Sequence, residues 1–109
     1  MSLSRYRTVW LLALFDLPTR EACQRKAAAT FRKQLLREGF NMLQLSVYVR
    51  PCPSEESATH LRQRLRKNIP AEGHVRLISI TDHQFGRMEV FMAQKVKKPE
   101  APPAQLELF

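Results

Sequence analysis

Two stretches near the start of the chain have the hydrophobic pattern of β-strands. Residues 9–15 are apolar without interruption and end at Asp16. This continuity predicts a strand that is buried on both faces, with Trp10 in the core. Residues 42–49 alternate between apolar and polar positions, which predicts a second strand. Near residues 50–51 the chain either bends or folds back, and the pattern fits both.

A helix is predicted between these two strands. Thr19 suits the N-cap, Glu21 suits the first turn, and Gly39 supplies the stop. A helix that crosses between two strands of one sheet generally makes those strands parallel. The apolar stripe that predicts the buried face of this helix comprises Ala27, Ala28, Phe31, Leu35 and Leu36.

The second half of the chain contains another helix and two further predicted strands. Ser54 is the predicted N-cap of the helix, and Pro70 ends it. Residues 75–81 and 88–93 are the predicted third and fourth strands, joined by residues 82–86. The first turn of the helix carries Glu55 and Glu56, and its inward residues are Ala58, Leu61 and Leu65.

The order of these elements predicts an α/β fold of the α+β kind. We expect a ferredoxin-like domain over residues 1–94, with two helices packed on one face of a mainly antiparallel four-stranded sheet. Residues 95–109 predict a linker that ends in an alternating apolar tip at 105–109. We expect this tip to form a C-terminal strand at a sheet edge, either of its own chain or of a partner.

The charge of the chain narrows the classes of partner. Its 109 residues include 18 Lys and Arg against 10 Asp and Glu, a net charge of +8. This excess favours nucleic acid, with an anionic membrane surface and solubility alone as alternatives. No apolar run approaches the roughly 20 residues of a membrane helix, so we expect a cytoplasmic protein without a membrane partner. Cys23 and Cys52 fit neither a disulfide framework nor a zinc site, and we expect both to be reduced.

Basic side chains concentrate on the two predicted helices. Residues 20–38 contain six basic and two acidic residues. Such side chains position nucleic acid through its phosphates, and the sparse aromatic residues argue against recognition of bases. The predicted nucleic-acid-binding residues are Arg20, Arg25, Lys26, Arg32, Lys33, Arg37, Arg62 and Arg66.

Asp16 is the candidate catalytic and metal-binding residue. A carboxylate that ends a buried strand can ligate a hard metal ion such as Mg²⁺ or act as a general base. The alternative is that Asp16 caps the following helix. One carboxylate cannot hold a catalytic Mg²⁺ alone, and a two-fold dimer would bring two copies of Asp16 together.

Five segments resemble the CRISPR-associated protein two family and together span nearly the whole chain. The strand-ending aspartate combined with the Gln-x-Ser-Val-Tyr strand is the more specific part of this likeness. The last two segments look most like the branch found beside the Cas9 nuclease. The five segments are LFDLPT (14–19), FRKQLLREGF (31–40), QLSVYVR (44–50), ITDHQFG (80–86) and QLELF (105–109).

The resemblance implies a ferredoxin-like homodimer whose C-terminal strands complete the sheet across the interface. It also implies a role in acquiring CRISPR spacers, in which the dimer holds double-stranded DNA and bridges the integrase, CRISPR-associated protein one. Some members of the family cleave RNA or DNA with Mg²⁺, and Asp16 matches their catalytic aspartate. Phe15 and Met42 differ from residues that nuclease-active members often carry.

Three functional hypotheses follow from the sequence. The leading one is an adaptor that binds DNA within the spacer-integration complex. The alternative is a Mg²⁺-dependent endonuclease, acting on RNA or DNA through Asp16 of both protomers. The third, from another class, is a ferredoxin-like regulatory domain that binds a small ligand.

Overall fold

The structure is a computed structural model, and it describes residues 8–93. The predicted tail at 95–109, with its C-terminal strand, lies outside the described residues. Within residues 8–93, no helix has the length and hydropathy to span a bilayer. The elements in chain order are β1 (Val9–Asp16), α1 (Ala22–Arg37), β2 (Asn41–Gln44), β3 (Val47–Cys52), α2 (Glu55–Arg66), β4 (His74–Thr81) and α3 (Asp82–Gly86).

The four strands form one sheet in the order β2-β3-β1-β4. The central strand β1 runs antiparallel to β3 and β4, and β2 pairs antiparallel with β3 at one edge. The strands that α1 connects, β1 and β2, therefore run parallel with β3 between them. This succession of elements confirms the predicted ferredoxin-like fold and its antiparallel sheet.

The stretch predicted as one strand over 42–49 is a hairpin. A two-residue turn at Leu45 and Ser46 joins β2 to β3, so the chain reverses several residues before position 50. A two-residue turn alone would place residues three apart on the same face and break the alternation of apolar and polar positions. The register shift before the turn sets Met42 opposite Tyr48 and Asn41 opposite Val49, so the alternation stays in phase and gives no sign of the reversal. The pairing shifts register between Met42 and Gln44, just before the turn.

The two long helices cover one face of the sheet, which we call the helix face. The opposite face, which we call the open face, carries α3 at one end. Alternate residues of β1, from Val9 to Phe15, are buried on the helix face, whereas Trp10, Leu12 and Leu14 are half-buried on the open face. The prediction of a strand buried on both faces with Trp10 in the core is therefore wrong. An apolar run looks the same in sequence whether or not a second layer covers it.

The first helix begins two residues later than predicted, with Glu21 rather than Thr19 as its N-cap. The Gln24 side chain accepts hydrogen bonds from the backbone N–H groups of Arg20 and Glu21, both at 3.0 Å. Glu21 and Gln24 thus form a capping box, in which each side chain bonds to the backbone N–H of the other residue. Thr19 has Ala22 at the matching position, and alanine cannot return such a bond.

The buried stripe of α1 is narrower than predicted. Ala27 and Leu36 are exposed, and the polar Gln34 is buried in their place. At about 100° per residue, position 36 turns toward solvent. Positions 27 and 34 share one side of the helix, and Ala27 is exposed because it lines an open depression beside Pro70 and Glu72. The stripe residues that are buried as predicted are Ala28, Phe31 and Leu35.

The second helix begins and packs as predicted. Ser54 is its N-cap and accepts a hydrogen bond from the backbone N–H of Ser57 at 3.2 Å. The helix ends at Arg66, with Lys67 as C-cap, ahead of Pro70. Its three inward residues, Ala58, Leu61 and Leu65, are fully buried in the core.

The end of the described chain differs from the prediction. Thr81 and Gln84 form a capping box that starts the short helix α3, where the sequence predicted a plain connection. Residues 88–93, predicted as the fourth strand, pair with no strand of the described region. The sheet has four strands because the β2–β3 hairpin supplies the additional one.

The core lies between the helix face and the two long helices. The Phe15 ring meets Phe31 edge-on with centroids 5.3 Å apart and lies 5.6 Å from Tyr48. Cys52 is buried in this core and Cys23 is exposed, and both are free thiols, as predicted. The tight core fixes the strand end that carries Asp16.

Candidate functional site

Asp16 is the last residue of β1, and its side chain is exposed on the open face. In the register of the two strands it lies directly opposite His74, the first residue of β4. Directly opposed residues of an antiparallel pair have Cβ atoms about 5 Å apart. Asp16 and His74 are therefore neighbours at one corner of the open face.

The backbone at Asp16 is held by a turn that packs against it. Gly73 has a φ of +93°, in the region that L side chains rarely adopt. A Cβ at this position would lie 2.5 Å from the Asp16 carbonyl oxygen and 2.9 Å from the Leu17 side chain. On the other flank the Phe15 N–H donates to the Ser46 carbonyl at 3.0 Å. The strand end is therefore fixed, while its carboxylate is exposed.

The described residues bring too few ligands together at Asp16 for a catalytic metal ion. Within residues 8–93, no group of three or more His, Cys, Asp or Glu side chains is arranged to hold a metal. A pair of Asp16 carboxylates fits Mg²⁺, which prefers oxygen ligands and leaves several positions to water and substrate phosphate. A catalytic metal ion at Asp16 would therefore need ligands beyond those that the described residues bring together.

Three predicted nucleic-acid-binding residues form a line along the solvent side of α1. Lys26, Lys33 and Arg37 are exposed, and their spacing of seven and four residues places them on one face of the helix. We call these three residues the α1 stripe. At about 1.5 Å per residue the stripe spans roughly 16 Å. Arg37 also borders an open depression of about 300 Å³, which is lined in addition by Thr30, Gln34, Glu38 and Asn68.

The predicted residues at the start of α1 also serve the local fold. The Arg25 guanidinium donates from Nη1 to the carbonyl oxygens of Thr19 at 3.1 Å and of Arg20 at 2.7 Å. These bonds secure the loop that leads from β1 to α1. Arg20 is exposed in that loop, and Arg66 is exposed at the end of α2. These residues lie outside the α1 stripe.

Two predicted nucleic-acid-binding residues have partners inside the fold. Arg32 is half-buried, its guanidinium carbon lies 5.9 Å from the centroid of the Phe15 ring, and its Nε is buried without a hydrogen-bond partner among residues 8–93. Arg62 is also half-buried and donates from Nη2 to Ser79 Oγ on β4. The sequence shows which helix residues are basic. It does not show which flank of each helix meets the sheet.

An ion pair that the sequence analysis missed links the two long helices. Arg64 donates from Nε and Nη2 to Glu38 Oε1 at 3.1 and 3.0 Å. Glu38 follows the last residue of α1, and Arg64 lies on α2. The pair ties the C-terminal end of α1, where the stripe ends, to its neighbour.

The sequence analysis also missed a contact between β1 and α3. Trp10 Nε1 donates to Asp82 Oδ1 at 2.7 Å, and the Trp10 ring stacks on Phe85 with centroids 4.0 Å apart and planes 12° from parallel. We call Trp10, Asp82 and Phe85 the α3 latch. Two signals could have found it. Thr81 and Gln84 have capping-box spacing, and Trp10 is out of phase with the buried residues of β1.

The open face is mostly apolar over β3, β1 and β4, with Arg76 beside Leu14 as its exposed charge. The register places Val47 beside Leu14, and Ile78 beside Leu12. Ile78 is 50% exposed although it lies in the middle of a strand. Apolar residues are exposed after α3 as well: Val90, Phe91 and Met92. Contiguous apolar surface of this kind is typical of an interaction site.

One family model matches most of the described chain. It is the model of CRISPR associated protein Cas2, and the match covers residues 9–88. The chain belongs to the Cas2 family. This confirms the family resemblance that the five sequence segments carry.

Relatives and a solved structure agree with the Cas2 assignment. The CRISPR-associated endoribonuclease Cas2 of Flavobacterium psychrophilum is 46% identical over 107 residues, covering 98% of this chain and 93% of the relative. The protein of that name from Parvibaculum lavamentivorans is 48% identical over 101 residues, covering 93% and 100%. A structure titled "Crystal structure of cas2" matches with a TM-score of 0.56 at 16% identity, covering 87% of this chain and 99% of that one. At this identity the structural match supports the fold alone.

In this member of the Cas2 family, the two candidate sites lie on opposite sides of the molecule. The α1 stripe is on the outer surface of the helix layer. Asp16, His74 and the α3 latch are on the open face. The geometry therefore separates a basic surface from an apolar surface that carries the candidate catalytic carboxylate.

Proposed function

We propose that this chain is a CRISPR adaptation protein of the cytoplasm. In this proposal it forms a homodimer, binds double-stranded DNA and bridges the integrase, CRISPR-associated protein one, during spacer acquisition. The observation that carries the proposal is the exposed α1 stripe in a chain of net charge +8. The free thiols of Cys23 and Cys52 fit the reducing cytoplasm.

The α1 stripe supports binding to the DNA backbone rather than to bases. Its three cations lie on one rigid helix and span roughly 16 Å, so they can meet several phosphates at once. Contacts of this kind orient a duplex without reading its sequence. A protein that accepts DNA of many sequences needs this type of surface.

The open face supports the homodimer. Leu12, Leu14, Val47 and Ile78 form one apolar surface beside Asp16, and Ile78 is half exposed in the single chain. Two copies that met through this face would bury it and bring their Asp16 carboxylates toward each other, as in an isologous two-fold interface. Sedimentation over a dilution series tests this, and a monomer at all concentrations would contradict it.

The DNA-binding proposal is tested by the salt dependence of affinity. A labelled duplex of about 30 base pairs is titrated with protein by fluorescence anisotropy from low to high salt. Each phosphate contact contributes about 0.9 to the slope of log affinity against log salt. We therefore expect Lys26→Gln/Lys33→Gln to lower the slope by about 1.8.

Lys67→Gln/Arg87→Gln is the matched control, since it removes the same charge from exposed residues that lie outside the α1 stripe. We expect its slope to equal that of the wild-type protein. Sedimentation of each variant checks that its assembly is unchanged. An equal loss in both variants would show that net charge, not the stripe, binds DNA.

The bridging proposal is tested by adding a CRISPR-associated protein one integrase. We expect a ternary complex in which the duplex is held more tightly than by either protein alone and remains intact. Affinity that is unchanged by the integrase would contradict the bridging role while leaving DNA binding in place.

A second candidate function is endonuclease activity, favoured by the relatives that are named endoribonucleases and by the exposed Asp16 at the end of β1. In this proposal, Asp16 of both protomers would hold Mg²⁺ at the dimer interface. When bound there, Mg²⁺ would neutralise charge on the phosphodiester and favour hydroxide formation from water. The chain itself would hold the carboxylate in place through the packed backbone at Gly73.

Asp16→Asn tests this second candidate on labelled RNA and DNA with Mg²⁺ present. The change keeps the size of the side chain and removes its charge. We expect cleavage to be lost while the affinity for duplex DNA stays within about twofold, because the α1 stripe is on the other side of the molecule. Undiminished cleavage by the variant would remove Asp16 from any catalytic role.

A further inference from the structure

The helix layer has a polar depression beside the α1 stripe. It is open, has a volume of about 300 Å³, and lies between the C-terminal half of α1 and Asn68, which follows α2. Thr30 lines it and lies in line with the stripe, four residues after Lys26 and three before Lys33. Arg37, the last residue of the stripe, lines it as well. A strand bound along the stripe would therefore pass beside the depression.

Gln34 is a buried polar residue that lines this depression. It is only 8% exposed and lies among the buried apolar residues of α1, such as Phe31 and Leu35. Its side-chain amide has no hydrogen-bond partner within residues 8–93. A buried amide without partners destabilises a fold, and such a group calls for an explanation. The two N–H donors and the carbonyl oxygen of Gln34 are available to a molecule bound in the depression.

Glu38 adds a carboxylate to the same depression. Its Oε1 accepts both hydrogen bonds from Arg64, at 3.1 and 3.0 Å, which leaves Oε2 without a partner among the described residues. The carboxylate would repel a phosphate at this point, whereas an amine would donate to Oε2. The lining therefore favours an uncharged group that carries an amine, next to a phosphate that Arg37 can bind.

Nucleobases differ in what they present on the pairing edge. Cytosine and adenine present an amine donor beside a ring-nitrogen acceptor, whereas thymine and uracil present a carbonyl oxygen in place of the amine. The amine can donate to Glu38 Oε2, and the Gln34 amide can donate to the ring nitrogen. A thymine or uracil would place its oxygen against the carboxylate. These edges are accessible in unpaired bases.

We propose that the depression binds the pairing edge of an unpaired cytosine or adenine in a strand whose phosphates lie on the α1 stripe. Gln34 and Glu38 determine the specificity, and Arg37 holds the adjoining phosphate. This inference rests on the proposed DNA binding through the stripe. It adds a preference among bases at one position, made by hydrogen bonds and without aromatic stacking, whereas the stripe itself contacts only phosphates.

The test uses duplexes of about 15 base pairs, long enough to cover the α1 stripe, with forked ends whose unpaired tails are all dC or all dT. These two pyrimidines differ in the pairing edge and little in size. Fluorescence anisotropy at one salt concentration measures their affinities for the full chain. We expect the dC-tailed duplex to bind about tenfold more tightly, as one matched pair of hydrogen bonds allows.

Two variants remove the proposed contacts. Gln34→Met keeps the size of the side chain and removes its amide, and we expect the preference to fall to about threefold. Glu38→Gln places an N–H donor where thymine has its oxygen, and we expect it to abolish the preference. The affinity for a blunt duplex should stay within about twofold in both variants, because the stripe is unchanged.

Gln63→Met and Glu56→Gln are the matched controls, because they make the same changes at exposed residues of α2 outside the depression. We expect both to keep the tenfold preference. Circular dichroism checks that each variant is folded. If Gln34→Met does not fold, Glu38→Gln still tests the proposal at a half-buried residue.

The outcomes separate this inference from the proposed function. A wild-type chain that binds no duplex removes the DNA-binding proposal and the base preference together. Equal affinities for dC-tailed and dT-tailed duplexes, with binding to the blunt duplex intact, overturn this inference alone. A preference that both variants leave unchanged overturns it as well. Free deoxycytidine monophosphate is the competitor: if it abolishes the preference at micromolar concentration, the depression binds a free nucleotide and not a strand.

Discussion

The turn at Gly73 permits a quantitative test of how the strand end is held. In Gly73→Ala, an L residue must adopt a φ of +93°, which costs about 1–2 kcal/mol. The new Cβ would also lie 2.5 Å from the Asp16 carbonyl oxygen and 3.0 Å from Leu17 Cα. Both are backbone atoms that cannot rotate away, and forced shifts of this kind cost about 1–3 kcal/mol. The free energy of unfolding should therefore fall by about 2–5 kcal/mol.

The other two glycines of the chain provide matched controls. Gly39 also has a positive φ, +91°, but its added Cβ would meet the flexible side chain of Arg50, 2.8 Å from Nε. We expect Gly39→Ala to cost only the conformational part, about 1–2 kcal/mol. Gly86 lies in α3 with no atom within 4 Å of an added Cβ. Gly86→Ala should be neutral or stabilise the fold by up to about 1 kcal/mol.

Urea unfolding followed by far-ultraviolet circular dichroism measures all three variants at one protein concentration. A loss of 1 kcal/mol lowers the melting temperature of a domain of this size by about 4–8 °C, so thermal melts provide a second measure. We expect the order of stability to be Gly86→Ala, then Gly39→Ala, then Gly73→Ala. Equal losses at positions 39 and 73 would refute the argument that the turn packs against the backbone of Asp16.

Three further changes test the remaining structure by the same unfolding measurement. Ser54→Ala removes the N-cap of α2 and should cost about 1 kcal/mol; no loss would mean that the bond from Ser57 adds nothing. Leu61→Ala opens the core at a fully buried residue and should cost about 2–5 kcal/mol, whereas a loss below 1 kcal/mol would contradict tight packing there. Glu38→Gln breaks the partly exposed pair with Arg64 and should cost at most about 1 kcal/mol, an effect that high salt should abolish.

The elements that the sequence predicts well are those with both a hydrophobic pattern and an end signal. The second helix has Ser54 as its cap and three buried residues at helical spacing, and the structure confirms each of them. The β2–β3 hairpin was missed because a register shift beside its two-residue turn keeps the alternation in phase. The N-cap of the first helix was predicted at the wrong residue. Thr19 and Glu21 lie close together, and only Glu21 has a capping-box partner three positions later, Gln24.

The candidate sites also divide into features that a local sequence pattern predicts and features that depend on contacts between distant residues. The position of Asp16 follows from the end of an apolar run, and the α1 stripe follows from the helical period. The hydrogen bond from Arg62 to Ser79 does not follow from the helical period, because Ser79 lies on β4, a separate element of the fold. The α3 latch is only partly signalled in the sequence: the spacing of Thr81 and Gln84 indicates α3, but the hydrogen bond that closes the latch spans 72 positions.

The one-sided helix layer has a consequence for the electrostatics of association. If two copies meet through their open faces, their helix layers end up on opposite outer surfaces. With about 10 Å between packed sheets and helices about 10 Å in diameter, the two α1 stripes would then be roughly 30 Å apart. The screening length at physiological salt is about 8 Å, so the stripes would repel each other very little. Each copy can therefore keep a surface basic enough to hold a polyanion without opposing its own pairing.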